Sequence, residues 1–288
     1  MRLATFRDET GIHVGAVRDG QLAALDGVAA DMLSLIDAGA AGLASAQAAA
    51  AAATDWRPLA GVTLLAPIPR PRQNVVCVGL NYVAHANESD RARGREPKLP
   101  SAPVFFTKAI TAVANPHSEF LLDPQVTAQL DYEAELAFVI GRSGKNIPRS
   151  EALGYVFGYM VGNDISARDL QSQHQQFFKG KSLDGSCPLG PWIVTADEIP
   201  DPVALTVRLR VNGEQRQEGS VSDLIFDVPT LIEYLSLGAT LEAGTIICTG
   251  TPSGVGLGYT PPNYLKAGDV VEAEIDTIGA LRTHIVAV

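Results

Sequence analysis

From Asn74 onward, apolar residues either alternate with polar ones or run unbroken for a few positions, and Gly, Asn or Pro bounds each run. This patterning predicts strands over Val75–Gly79, Val104–Thr107, Glu133–Ile140, Trp192–Thr195, Thr206–Val211, Gly244–Thr249 and Val270–Ile275, with a further apolar strand ending at Asn163-Asp164. Helical spacing is confined to Tyr82–Asn87, a stretch beginning at Arg149, Ala167–Gln175 and Val228–Leu235. Earlier in the chain, Arg2–Arg7, His13–Arg18 and Gln21–Ala24 read as short strands between turns. Asp31–Ala53 then reads as a helix with Met32, Leu35 and Ile36 on its apolar face. The prolines at 67, 69 and 71 set a boundary near residue 70, which predicts a small N-terminal α/β domain over 1–70 and a larger domain over 71–288. Strands outnumber helices without alternating with them, so the expected class is α+β and mainly β.

Composition narrows the partners. With 22 basic and 32 acidic side chains the chain carries a net charge of −10, and it has no dense basic run. That disfavours nucleic-acid phosphates and anionic membrane surfaces. No stretch reaches the roughly 20 strongly apolar residues of a bilayer span, and the charged N-terminus is unlike a signal peptide. Three dispersed cysteines (Cys77, Cys187, Cys248) suit a reducing compartment, so the expectation is a soluble cytoplasmic protein.

The chemistry concentrates in Leu130–Ile140. Read as one strand, its period of two puts Tyr132, Ala134, Leu136, Phe138 and Ile140 on one face and Asp131, Glu133, Glu135, Ala137 and Val139 on the other. Acids on a strand face are often merely solvated, but here the face continues as Ala137 and Val139, which predicts burial, and buried carboxylates need a cation or partners. Asp164, at the end of its own strand, supplies a third acid; helix N-capping by Asp164 or Ser166 is the plainer alternative. Three carboxylates without Cys or His form an all-oxygen set suited to Mg²⁺, Mn²⁺ or Ca²⁺ and not to structural zinc. On the helix after Val75–Gly79, His85 and Glu88 stand at i and i+3, the spacing of an imidazole backed by a carboxylate or of an ordinary exposed pair.

Several separated motifs occur in one order: Gly79-Leu80-Asn81-Tyr82-Val83-Ala84-His85, Asp131-Tyr132-Glu133-Ala134-Glu135-Leu136, Gly162-Asn163-Asp164-Ile165-Ser166-Ala167-Arg168-Asp169-Leu170-Gln171, Gly180-Lys181-Ser182-Leu183-Asp184-Gly185 and Thr249-Gly250-Thr251-Pro252-Ser253-Gly254-Val255-Gly256. In these the chain resembles the fumarylacetoacetate hydrolase superfamily. The wording is closer to its hydrolase, isomerase and decarboxylase branch than to fumarylacetoacetase proper, whose additional aspartate before the dyad has no counterpart in Val75–Tyr82. The resemblance implies a mixed β-sandwich roll, a homodimer, and Mg²⁺ or Mn²⁺ held by Glu133, Glu135 and Asp164. It further implies a water-activating dyad of His85 and Glu88, an oxyanion-stabilising Lys181, and substrate contacts from Arg168, Gln171 and Thr251.

The leading functional expectation is metal-dependent hydrolysis of a carbon–carbon bond in a 2,4-dioxo acid, the substrate being a small 2-oxo or dicarbonyl acid. Oxaloacetate-type decarboxylation or isomerisation of a 2-hydroxy-diene-dioate by the same superfamily is the alternative, and a non-catalytic metal- or ligand-binding protein is the alternative from another class. The glycines of Gly250–Gly258 are followed by Tyr259-Thr260-Pro261-Pro262 rather than a helix, which argues against a dinucleotide loop. Cys187 has no histidine placed beside it by sequence, so a thiol nucleophile is disfavoured.

Overall fold

Two kinds of strand organise the computed structural model, which describes residues 1–288. Thr206–Val211 and Val270–Ile275 alternate, turning Val207, Leu209, Val211, Val271, Ala273 and Ile275 inward. Ala134–Ile140 and Val156–Asn163 are instead buried at every position. A strand apolar on one face needs cover on one side; a strand apolar on both needs two covering layers.

The layers follow from that difference. The larger sheet has twelve strands. Its main path runs Arg57–Pro58, Gln21–Ala24, Gly11–Arg18, Arg2–Asp8, Cys187–Thr195, Val156–Asn163, Ala134–Ile140, Ile246–Cys248, Val75–Gly79, Val104–Lys108. A five-stranded sheet, ordered Glu214–Ser220, Thr206–Val211, Val270–Ile275, Gly279–Ala287, His117–Leu122, shares one core with Leu136, Phe138 and Ile140. The opposite face of the large sheet, through Ala137, Val139, Met160 and Cys248, packs with Leu35, Ile36 and Ala46 of the helices Met32–Asp37 and Gly39–Ala52. The class is α+β and mainly β, as the patterning predicts. The N-terminal strands extend the large sheet, because Leu3 pairs with Ile193 and Arg2 with Val194. No helix is long and apolar enough to cross a membrane.

Three differences from the sequence reading have physical causes. Asp31–Ala53 is two helices, not one: Asp31 caps the first by accepting from the Ser34 N–H at 2.7 Å, and Gly39 turns the chain at φ +57°. The strand read over 130–140 is interrupted at Tyr132-Glu133, since Leu130–Asp131 pairs with Ser166–Ala167 while pairing with Val156–Asn163 begins at Ala134. Edge strands His117–Leu122 and Glu214–Ser220 escape detection because each buries a single side chain, Phe120 or Gln217, and shows no apolar alternation.

Phe138 is wholly buried in the central strand, whereas Leu237 is 72% exposed. Phe138→Ala is expected to lower unfolding free energy by about 3–5 kcal/mol, and Leu237→Ala by less than about 0.5 kcal/mol, both read by chemical denaturation.

Candidate active site

The register of two central strands builds the site. Ala134 lies opposite Asn163 and Glu135 opposite Gly162. Just beyond, the Asp164 N–H donates to the Glu133 carbonyl at 2.8 Å and the Glu133 N–H donates to Asn163 Oδ1 at 3.1 Å, clipping the two chain segments together. Carboxylate oxygens of Glu133, Glu135 and Asp164 consequently lie within 4.8 Å of one another, and all three residues are buried. Asp164 caps no helix: Arg168–Gln173 begins without a side-chain cap, and Ser166 Oγ donates to the Asp164 carbonyl.

Like charges this close in a dry interior need compensation. Lys181 Nζ donates to Glu133 Oε2 at 2.6 Å and to Asp164 Oδ2 at 2.7 Å. Lys108, fully buried at the end of Val104–Lys108, donates to the other Asp164 oxygen and to the Ile165 carbonyl. Arg168 reaches Glu133 Oε1 at 2.7 Å and Asp131 Oδ2 at 2.8 Å, while its Nη1 donates to Gln171 Oε1 at 3.1 Å. Burial pushes the Glu133 carboxyl up, but the Lys181 and Arg168 charges outweigh it and hold Glu133 well below the usual carboxylate range. Burial likewise works against the Lys181 ammonium, yet Asp164 and Glu133 raise it above the ordinary lysine value.

Glu135 stands apart. Burial, then the Asp164 and Glu133 charges, push its carboxyl well above the usual range. Its Oε2 accepts from the Gly250 N–H at 2.8 Å, and no ammonium or guanidinium pairs with it. Four carboxylates (Asp131, Glu133, Glu135, Asp164) thus face three cations (Lys108, Arg168, Lys181). A hard divalent cation fits this donor set, whose three clustered oxygens include one carboxylate that no other charge neutralises.

Helix Val83–Ala92 carries the dyad. His85 Nδ1 lies 3.3 Å from Glu88 Oε2, leaving Nε2 for the adjoining cavity of about 590 Å³. That cavity is lined by seven of the nine residues singled out in sequence: His85, Glu133, Glu135, Arg168, Gln171, Lys181 and Thr251. Asp164 is buried beneath it, and Glu88 stands behind the imidazole, bordering a second cavity. The Thr251 hydroxyl donates to the Ala134 carbonyl at 2.9 Å and accepts from Gln217 Nε2 at 2.8 Å.

Sequence reasoning missed four participants. Lys108 closes a strand read as ending one residue earlier, and a lysine terminating an apolar strand was the available signal. Asp131 shares a face with the glutamates in sequence, but in the structure it holds Arg168. Gln217 comes from a polar edge strand and has no local signal, whereas Arg93, which lines the cavity with Arg95, lies in a charge-rich stretch, Arg91–Leu99, whose charge was the available signal. Cys187 is fully buried and free, as are Cys77 and Cys248, and burial pushes the Cys77 thiol up to about 12, so these thiols are packing residues.

Comparisons with known proteins place the fold in a family. A family model described as the fumarylacetoacetate hydrolase C-terminal region matches residues 74–286. The oxaloacetate tautomerase YisK of Bacillus subtilis is 52% identical over 227 residues, covering 79% of this chain and 74% of that protein. The mitochondrial oxaloacetate tautomerase FAHD2A of Homo sapiens is 40% identical over 257 residues, covering 88% and 79%. Among solved structures, a fumarylacetoacetate hydrolase from Exiguobacterium antarcticum aligns with a TM-score of 0.86 and 40% identity over 100% of both chains. A maleylpyruvate hydrolase from Sphingobium sp. SYK-6, solved with manganese(II) and pyruvate, aligns at 0.80 and 32% identity over 100% of this chain and 99% of that one. With its metal-type carboxylate trio set in this fold, the chain belongs to the fumarylacetoacetate hydrolase superfamily of enzymes, in the branch outside fumarylacetoacetase proper.

Proposed function

We propose that this enzyme interconverts the keto and enol forms of a short 2-oxo dicarboxylate, oxaloacetate or a close analogue, with Mg²⁺ or Mn²⁺ held by Glu133, Glu135 and Asp164. The observation that carries the reading is Arg93. Its guanidinium is partly buried at the cavity wall, bonds to Ser89 Oγ, and forms no ion pair. Burial, then the Arg168 and Arg95 charges, lower its affinity for its own proton. An anion entering the cavity relieves that repulsion. A compact dianion suits these walls better than the apolar acyl chain of an acylpyruvate, which supports the isomerase alternative over the carbon–carbon hydrolysis put first from sequence. The two tautomerase relatives support the same choice.

When bound, the divalent cation supplies Lewis acidity to the 2-oxo group. His85 Nε2 takes a proton from C3 of the keto form. The C–H electron pair becomes the C2–C3 double bond, and the oxygen on C2 takes a proton from solvent to give the enol. Return of the proton from the same nitrogen to C3 runs the reaction backward. Glu88 fixes the imidazole tautomer and stabilises its protonated state. Lys181 and Arg168 place positive charge beside the developing oxyanion, where a preorganised donor is often worth about 3 kcal/mol, and Gln171 steadies the Arg168 fork.

The enol absorbance of oxaloacetate is expected to decay faster with the protein and Mn²⁺ than in buffer. EDTA should abolish the acceleration, and Mg²⁺ or Mn²⁺ should restore it. His85→Ala should slow catalysis by about 10²–10⁴-fold. Pyruvate appearing as fast as the enol disappears would assign decarboxylation and overturn the reading. Arg93→Ala is expected to raise KM for oxaloacetate by about ten- to a hundredfold, the loss of a hydrogen bond between charged groups. It should leave KM for a monocarboxylic 2-oxo acid unchanged.

A further inference from the structure

The glycine-rich loop after Ile246–Cys248 has the look of a phosphate cradle, but its amides are already taken by the protein's own acids. The Gly250 N–H donates to Glu135 Oε2 at 2.8 Å. The Gly254 N–H donates to both Glu88 oxygens, at 3.0 and 3.2 Å. The Gly256 and Leu257 N–H groups donate to the two oxygens of Asp131 at 2.7 and 3.0 Å. One segment therefore grips an acid of the carboxylate trio, the acid behind the imidazole and the acid that orients Arg168. Glu88 lies on a helix well before the strand segment that carries Asp131 and Glu135, and this loop donates backbone hydrogen bonds to all three.

We propose that Gly250–Gly258 is a carboxylate-positioning loop, and that Gly258 is a positioning residue acting through Glu88. The inference rests on the assignment of His85 and Glu88 as the proton-transferring pair. Backbone N–H groups turned to one side of a loop form a fixed partial positive charge that suits an anion. Small residues are needed for the acids to come that near. A Cβ at Gly258 would land on the Glu88 side chain, 2.6 Å from Cγ, and its three nearest atoms all belong to Glu88. Gly258 has no positive φ, so alanine suits its backbone, and the nearest atoms it meets are those of the Glu88 side chain. Gly254 differs: its φ of +103° and the Arg216 carbonyl against it exclude a side chain outright.

Gly258→Ala is thus a probe of Glu88 placement. It is expected to lower kcat about tenfold or more, with KM and Mn²⁺ affinity held within about twofold, since neither Arg168 nor the trio moves. In a Glu88→Ala background the same substitution should cost nothing further, because the group it displaces is gone. An equal fold-loss in both backgrounds would mean that Gly258 acts on the scaffold and would overturn the proposal. The Gly254 amide resonance in an ¹H–¹⁵N spectrum gives a second readout, independent of substrate. It should shift in Gly258→Ala, and an unmoved resonance overturns the proposal. A wild-type protein inactive on oxaloacetate would remove the tautomerase reading while leaving this amide test intact. If Gly258→Ala does not fold, rescue of folding by adding Glu88→Ala supports the proposal, and failure of the double variant overturns it.

Discussion

Three acids of like charge forced into one buried cluster set the terms for everything around them. Removing one partner of a buried ion pair typically costs about 3–5 kcal/mol, because the survivor is left uncompensated. The site answers with permanent compensation. Lys108 and Lys181 come from separate elements, Arg168 heads a short helix, and backbone amides are drawn from a loop more than a hundred residues away in sequence. Glu135 is the acid that this arrangement leaves without a positive partner. The imbalance that would destabilise an ordinary core is what makes the hollow receptive to a divalent cation.

How much of this the sequence discloses depends on the range of the interaction. The His85–Glu88 pair lies three residues apart on one helix, and such spacing is visible without a structure. Glu133 and Glu135 are visible for a similar reason, since the two-residue period of a strand puts them on one side. Asp164 joins them only through the pairing of Ala134 with Asn163, which the motif order suggests and the register supplies. The loop amides bonded to Glu135, Glu88 and Asp131 leave no mark in sequence, because a backbone N–H belongs to every residue but proline. The polar strand carrying Gln217 stayed hidden because hydrophobic periodicity cannot report an edge whose residues face water.

One-sided or complete burial is legible where the inward residues are apolar, but Gly279–Ala287 goes unread because Thr283 holds the middle inward position between Leu281 and Ile285. Thr206–Val211 and Val270–Ile275 begin and end where the alternation places them, since each alternate side chain enters the core between the sheets. The run over 130–140 misleads at Tyr132-Glu133. There the chain leaves one strand pairing for another, and that break turns Asp131 toward Arg168 instead of the metal-type trio.

The helices Met32–Asp37 and Gly39–Ala52 lie outside the segment matched by the family model, yet they back the sheet through Ala137, Val139 and Cys248. The matched segment therefore shares part of its core with residues that precede it. Without that wall, the central strands would present apolar surface to water directly behind the carboxylate trio. The wall at the rear of the sheet is thus separate from the site's own segment in sequence, yet continuous with it in packing.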